Sequence, residues 1–139
     1  MPTIFTKIIN REIPANIVWE NEELISFLDI TPVKKGHLLL VPNMEVEKVD
    51  DLNDNLHTKL FAQAKAMAKK MEEALQKDKP LMQVSRIGYV VEGFGVPHVH
   101  VHLVPLSSGN ELNPQNAYQA LPEELAEMRE FYTEVFKGL

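Results

Sequence analysis

Hydrophobic positions change their period several times along the chain, and each change predicts an element. Ile17–Glu20 is short and β-branched, and Leu24–Asp29 follows the polar turn Asn21-Glu22-Glu23, so both read as strands. Thr31-Pro32 breaks the chain and Lys34-Lys35-Gly36 gives a loop. His37–Val41 is then an apolar run stopped by Pro42, short enough for a buried strand. From Asp50 and Asp51, both N-cap candidates, to about Lys77 the period lengthens. Leu52, Leu56, Leu60, Ala64, Met67, Met71 and Leu75 recur at steps of three or four, which predicts one long helix with a buried stripe. Met82–Val91 and Val99–Val104 read as two more strands on either side of the Gly93-Phe94-Gly95 loop. Ser107–Gln119 is polar and reads as a loop. Pro122, with Glu123 and Glu124 behind it, opens a last helix that carries Leu125, Met128, Tyr132 and Val135 on one face. The order predicts an α+β fold: a five-stranded, mostly antiparallel sheet with one long central helix and a C-terminal helix.

Composition narrows the function more than the fold. A chain of 139 residues fits one domain, residues 1–139, around a single core. Its formal charge of −6 argues against nucleic acid held on a basic surface, but leaves room for a small nucleotide in a local site. No apolar run approaches the roughly 20 residues that span a bilayer, and the N-terminal residues lack a signal-peptide pattern. Cysteine is absent, which removes disulfides and thiolate zinc ligands and makes a cytoplasmic protein the expectation.

The candidate chemistry lies in Pro97-His98-Val99-His100-Val101-His102-Leu103-Val104-Pro105. On a strand, residues two apart share a face, so three imidazoles line up while Val99, Val101 and Leu103 point to the core. These could be ordinary residues on a wet sheet face, although such a face would then be wasted. They could be metal ligands, since imidazole suits zinc or iron. However, His98 and His102 would stand roughly 13 Å apart along a strand, too far to share one ion. Two neighbours could still chelate with help from His37 or a carboxylate. The third reading is nucleophilic and acid–base work, in which one neutral imidazole attacks while its neighbours orient it and donate hydrogen bonds.

The run His98-Val99-His100-Val101-His102-Leu103-Val104, histidines alternating with apolar residues, resembles the signature of the histidine-triad (HIT) family. Ile4-Phe5-Thr6-Lys7-Ile8-Ile9-Asn10-Arg11-Glu12-Ile13-Pro14-Ala15, Phe27-Leu28-Asp29-Ile30 and Gly36-His37-Leu38-Leu39-Leu40-Val41-Pro42 are similar, in order and spacing, to the family's Hint-like branch. The likeness covers roughly residues 3–105.

The resemblance implies a nucleotide hydrolase or transferase working through a covalent nucleotidyl-histidine at His100. It places His98 as the residue that orients His100, His102 on phosphate oxygen, and His37 in the same hydrogen-bond network. Asp29 would hold the ribose hydroxyls, a role the resemblance favours over the alternative of an Asx-type turn before Thr31-Pro32. Ile4, Phe5, Ile8, Phe27 and Ile30 would wall the base pocket. The family's substrates imply a purine nucleotide, most simply a nucleoside phosphoramidate. A dinucleoside polyphosphate is the enzymatic alternative, and a nucleotide-binding scaffold is the alternative of another class. A homodimer is expected, with no cofactor, no metal, no nucleic acid and no membrane. The chain departs from many relatives in carrying Thr3 and Thr6 where they have a zinc-binding cysteine pair. Its loop before the triad is also short, with Gly95 where many carry a hydroxyl residue. The backbone of Gly95 and Val96 is therefore what that loop can offer a phosphate.

Overall fold

The computed structural model describes residues 2–139. Strands β1 (Ile17–Glu20), β2 (Leu24–Leu28), β3 (Leu38–Pro42), β4 (Arg86–Val90) and β5 (Val101–Leu106) form one sheet in the order β1-β2-β3-β5-β4. Every neighbouring pair is antiparallel. The helices are α1 (Ile4–Ile9), α2 (Asp54–Asp78) and α3 (Pro122–Val135). The α+β architecture is the expected one.

One face of the sheet carries the larger core. Leu24, Leu28, Leu38, Leu40, Val101 and Leu103 meet the stripe of α2, in which Leu56, Leu60, Ala64, Met67, Met71 and Leu75 are all buried. Met128, Tyr132 and Phe136 bring α3 onto the same core. The other face holds a smaller cluster in which Phe5 and Ile8 of α1 lie on Ile25, Phe27, Leu39 and Val41. The remainder of that second face is left for chemistry.

Several boundaries differ from the sequence expectation. The cap of α2 is Asn53, whose side chain accepts from the Leu56 N–H, and Asp50 and Asp51 sit in a separate 3₁₀ turn before it. Pro80 starts another 3₁₀ turn and Gln83 takes a left-handed φ of 52°, so the fourth strand begins only at Arg86. The polar stretch after β5 contains a further 3₁₀ turn, Pro114–Asn116. Helix α1 was not expected at all. It forms because Thr3 caps it, its hydroxyl accepting from the Thr6 N–H, and because Phe5 and Ile8 bury one side.

Candidate active site

The sheet register brings the site together. Phe27 faces Leu39, Leu39 faces His102, and His102 faces Val90, so these four form one row on the second face. The Asp29 N–H donates to the carbonyl of His37 at 3.0 Å, which places that pair in the next row. Strand β5 begins only at Val101, so His98 and His100 precede the ladder and are held by other bonds. His98 lies in a bend, its N–H donating to the Val96 carbonyl at 2.8 Å, and the Val99 N–H donates to the Val46 carbonyl at 2.8 Å.

The backbone placing His37 depends on the residue before it. Gly36 has φ 86°, and a Cβ there would stand 2.6 Å from the Tyr132 hydroxyl, which donates to the Gly36 carbonyl at 2.7 Å. Glycine admits both the left-handed conformation and the close approach.

The hydrogen bonds fix a tautomer at each of the four histidines (a carbonyl can only accept and a backbone N–H can only donate). His98 Nε2 lies 2.8 Å from the Pro42 carbonyl and therefore carries the proton, so its Nδ1 accepts from the Thr3 hydroxyl at 2.8 Å. Both nitrogens of His98 are thus engaged, and its side chain is wholly buried. His100 Nδ1 lies 2.7 Å from the His98 carbonyl and donates to it, leaving the lone pair on Nε2. His37 Nδ1 accepts from the Val33 N–H at 3.2 Å, so Nε2 is protonated and donates to His102 Nδ1 at 2.8 Å. His102 then carries its own proton on Nε2. The result is one bare ring nitrogen on His100 beside one ring N–H donor on His102, with their ring centroids 4.9 Å apart.

Electrostatics favour the neutral form of His102, His37 and His98. Burial pushes His102 down to about 4, helped by His37 and His100 and opposed by Asp29. Burial also lowers His37, against the pull of Asp29, and lowers His98, against its bond to Pro42 and the charge of Glu45. Phe5 presses edge-on against His100, with centroids 5.0 Å apart, and excludes water from that side.

Asp29 does two things at once. Its Oδ1 accepts from the Thr31 N–H at 2.8 Å and from the Thr31 hydroxyl at 3.2 Å, which is the Asx turn. Its Oδ2 faces His37 Nε2 at 3.6 Å and remains available to a ligand. Asp29, His37 and His102 offer ligand atoms within 4.8 Å of one another, the closest approach to a metal site among the described residues. Two nitrogens on one tetrahedral ion stand about 3.4 Å apart. The 2.8 Å separation of His37 and His102 is that of a shared proton instead.

The proposed base wall divides. Phe5, Ile8 and Phe27 are buried in the smaller core, whereas Ile4 and Ile30 are 51% and 53% exposed. Only Ile4 and Ile30 therefore present free apolar surface. Val96 packs against the smaller core, and nothing lies within 4 Å of where a Gly95 Cβ would be. His57 rests on Phe61 within α2 and takes no part.

Two features escaped the sequence. Glu45 accepts from the Thr3 N–H at 2.8 Å and from the Thr6 hydroxyl at 2.6 Å, tying α1 to the loop after β3 and so setting the Thr3 hydroxyl against His98. These bonds hold the Glu45 carboxyl below its ordinary range. Over His37 and His102 lies a cavity of about 200 Å³ that runs from Asp29, Thr31 and Val33 on one side to Val90, Glu92 and Val104 on the other, and is covered by Leu112, Pro114 and Ala117. No periodicity marks the last three, and no motif names Glu92.

Comparison with known proteins gives a consistent result. The family model described as the HIT domain matches residues 10–109. The purine nucleoside phosphoramidase of Escherichia coli is 33% identical over 123 residues, covering 86% of this chain and 97% of that protein. An uncharacterized HIT-like protein of Methanocaldococcus jannaschii is 37% identical over 107 residues, covering 77% of this chain and 81% of that protein. Among solved structures, a Hit-like protein of Bartonella henselae superposes with a TM-score of 0.82 at 26% identity, covering 96% of each chain.

Proposed function

We propose that this chain, which belongs to the HIT family and is one of its nucleotide hydrolases, cleaves purine nucleoside phosphoramidates through a nucleotidyl-histidine at His100. The observation that carries this reading is the fixed lone pair on His100 Nε2, set beside the His102 Nε2–H by hydrogen bonds that permit no other neutral tautomer. A nucleophile and an oxygen-directed donor on one rigid face are what displacement at phosphorus requires.

The reaction balances in two steps. The Nε2 lone pair of His100 forms a bond to the α-phosphorus while the bond from phosphorus to the leaving nitrogen breaks. That nitrogen keeps the electron pair and takes a proton from solvent. Water oxygen then forms a bond to the same phosphorus, the bond to His100 breaks, and its electron pair returns to Nε2. The products are a nucleoside monophosphate, a free amine and the proton lost by water. During the intermediate, the imidazole bears positive charge, which the His98 carbonyl stabilises through Nδ1–H. The His102 Nε2–H donates to a phosphoryl oxygen. Asp29 Oδ2 takes the ribose hydroxyls, and the base lies against Ile4 and Ile30. The purine preference is drawn from the likeness to the Escherichia coli phosphoramidase.

A phosphoramidate is favoured over a dinucleoside polyphosphate by charge. The cavity beside His102 is lined by Asp29 and Glu92 and by no lysine or arginine. With Asp29 on the ribose, a leaving nucleotide with several negative charges would meet the Glu92 carboxylate there and no cation. With adenosine 5′-monophosphoramidate and a diadenosine polyphosphate as substrates, kcat/KM should be at least about tenfold higher for the first. The reverse order would make the polyphosphate the substrate.

The sheet edges support a reading of the assembly. The order β1-β2-β3-β5-β4 leaves β4 at an edge, with Tyr89 46% exposed beside the outer flank of α2. We propose that two copies pair through this edge, which extends the sheet and removes an exposed strand. Light scattering should give about twice the 15.8 kDa of one chain, and a monomer at micromolar concentration would refute it.

A further inference from the structure

His98 and His100 lie ahead of the β5 ladder, so no strand fixes either ring, and the segment that follows β3 takes over that task. The Pro42 carbonyl accepts from His98 Nε2–H at 2.8 Å, and the Val46 carbonyl accepts from the Val99 N–H at 2.8 Å. Between these two, Glu45 reaches across to α1. Its Oε1 accepts from the Thr3 N–H at 2.8 Å and from the Thr6 hydroxyl at 2.6 Å. A helix of six residues is too short to hold its own place, so these outside bonds and the burial of Phe5 and Ile8 set where α1 lies.

The Thr3 hydroxyl has one proton, and its neighbours decide where that proton goes. The oxygen accepts from the Thr6 N–H at 3.2 Å, as the cap of α1. Thr6 Oγ1 stands 3.4 Å away and gives its own proton to Glu45. His98 Nδ1 is closer, at 2.8 Å, and bears a lone pair because Nε2 keeps the proton it donates to Pro42. Thr3 therefore donates to His98. The His98 carbonyl in turn accepts from His100 Nδ1–H at 2.7 Å, which leaves the reactive lone pair on His100 Nε2. An exposed carboxylate is thus joined to the nucleophile through Thr3 and His98 alone.

We propose that Thr3 and Glu45 are positioning residues for the nucleophile. Glu45 sets the Thr3 hydroxyl, the hydroxyl holds the His98 ring to one tautomer and one orientation, and the fixed His98 carbonyl aims His100. The inference rests on the reading of His100 as the residue that attacks phosphorus. Neither Thr3 nor Glu45 meets the reacting atoms, so each acts on kcat more than on KM. A small misplacement of the attacking nitrogen slows the chemical step without loosening the hold on the nucleotide.

The test measures AMP release from adenosine 5′-monophosphoramidate, together with the ring-nitrogen magnetic resonances of protein labelled with heavy-nitrogen histidine. Thr3→Val keeps the shape and removes the donor. It should lower kcat about tenfold or more with KM within about threefold, and its His98 should no longer hold a single tautomer. Thr3→Ser should bring kcat back to within about threefold of the unaltered chain, with His98 again protonated on Nε2 alone. Thr3→Asp separates the two roles of the hydroxyl, because a carboxylate still caps α1 but cannot donate. Its kcat should fall as in Thr3→Val, and its His98 should carry a proton on both nitrogens at neutral pH. Glu45 is exposed, so Glu45→Ala tests the same link with nothing taken from the core, even if Thr3→Val does not fold. It should lower kcat several-fold, and should cost nothing further in a Thr3→Val background. Full kcat in Thr3→Val, Thr3→Asp or Glu45→Ala, equal losses in Thr3→Val and Thr3→Ser, or additive losses in the double variant each overturn the positioning role. The reading of His100 survives any of these as long as the unaltered chain gains a nucleotidyl group there. An unaltered chain that releases AMP with no such group on His100 overturns both.

Discussion

Replacing His100 by alanine should lower turnover of adenosine 5′-monophosphoramidate by about four orders of magnitude or more, while the protein still folds and still binds the nucleotide. The reason is the assignment of protons. His100 is the histidine whose bare nitrogen has no partner within the chain among the described residues. The His98 nitrogens are committed to Pro42 and Thr3, and both nitrogens of His37 lie in its bonds to Val33 and His102. No cysteine stands in reserve. A neighbouring ring cannot take over without breaking a buried hydrogen bond. Rapid acid-free quenching of the unaltered enzyme followed by intact-mass measurement should show one added nucleotidyl group, and His100→Ala should show none. A variant retaining a tenth of the activity would show that water attacks phosphorus directly and that His100 serves some other purpose.

Different physical signals explain what was legible in the sequence. The stripe of α2 could be read because a 25-residue helix repeats its period many times, and every expected stripe residue from Leu56 to Leu75 is buried. Its cap was misplaced because Asp50, Asp51 and Asn53 are all good caps. The choice was made by the 3₁₀ turn that Asp50 and Asp51 occupy. Helix α1 spans six residues, too few for a period to show, and it is fixed by Glu45, some forty residues away in the chain. The three histidines were correctly placed together, but by different means from those expected. A regular strand would have supplied the shared face, whereas only His102 lies in the ladder and His98 sits in a bend. Asp29 shows that two sequence readings need not compete, because one oxygen closes the turn and the other faces the site. The cover of the cavity is illegible for a simpler reason. Leu112, Pro114 and Ala117 are held over it by the backbone bonds of Tyr118 and Ala120 to Pro32 and Ile30, and backbone bonds leave no mark on residue type.

Acid should unfold this protein earlier than its carboxylates alone would require, and the histidine network sets where. His102 is held down to about 4, against an ordinary 6.5, chiefly because burial penalises the charged ring. Above pH 6.5 the ring is neutral in both folded and unfolded chains, and the shift contributes nothing. Between 6.5 and about 4 the unfolded chain binds the proton and the folded one does not, so stability falls as pH falls. For His102 alone the loss between pH 7 and pH 4.5 is on the order of 2 kcal/mol. His37 and His98 are lowered too and add in the same direction. Geometry explains why the network cannot adapt. A protonated His102 would point an N–H at the N–H of His37, 2.8 Å away, and His37 cannot exchange tautomers without losing the Val33 bond. Urea denaturation across this pH range should therefore show a midpoint that drops steeply below pH 6.5. In His102→Gln, with no ring to titrate, the slope should be shallower by roughly the share of one histidine. An equal slope in the two proteins would mean that folding leaves the proton affinity of His102 unchanged. The folded protein would then accept a proton on Nδ1 despite the facing N–H of His37, and the proton arrangement that leaves the His102 Nε2–H for phosphate would have to be redrawn.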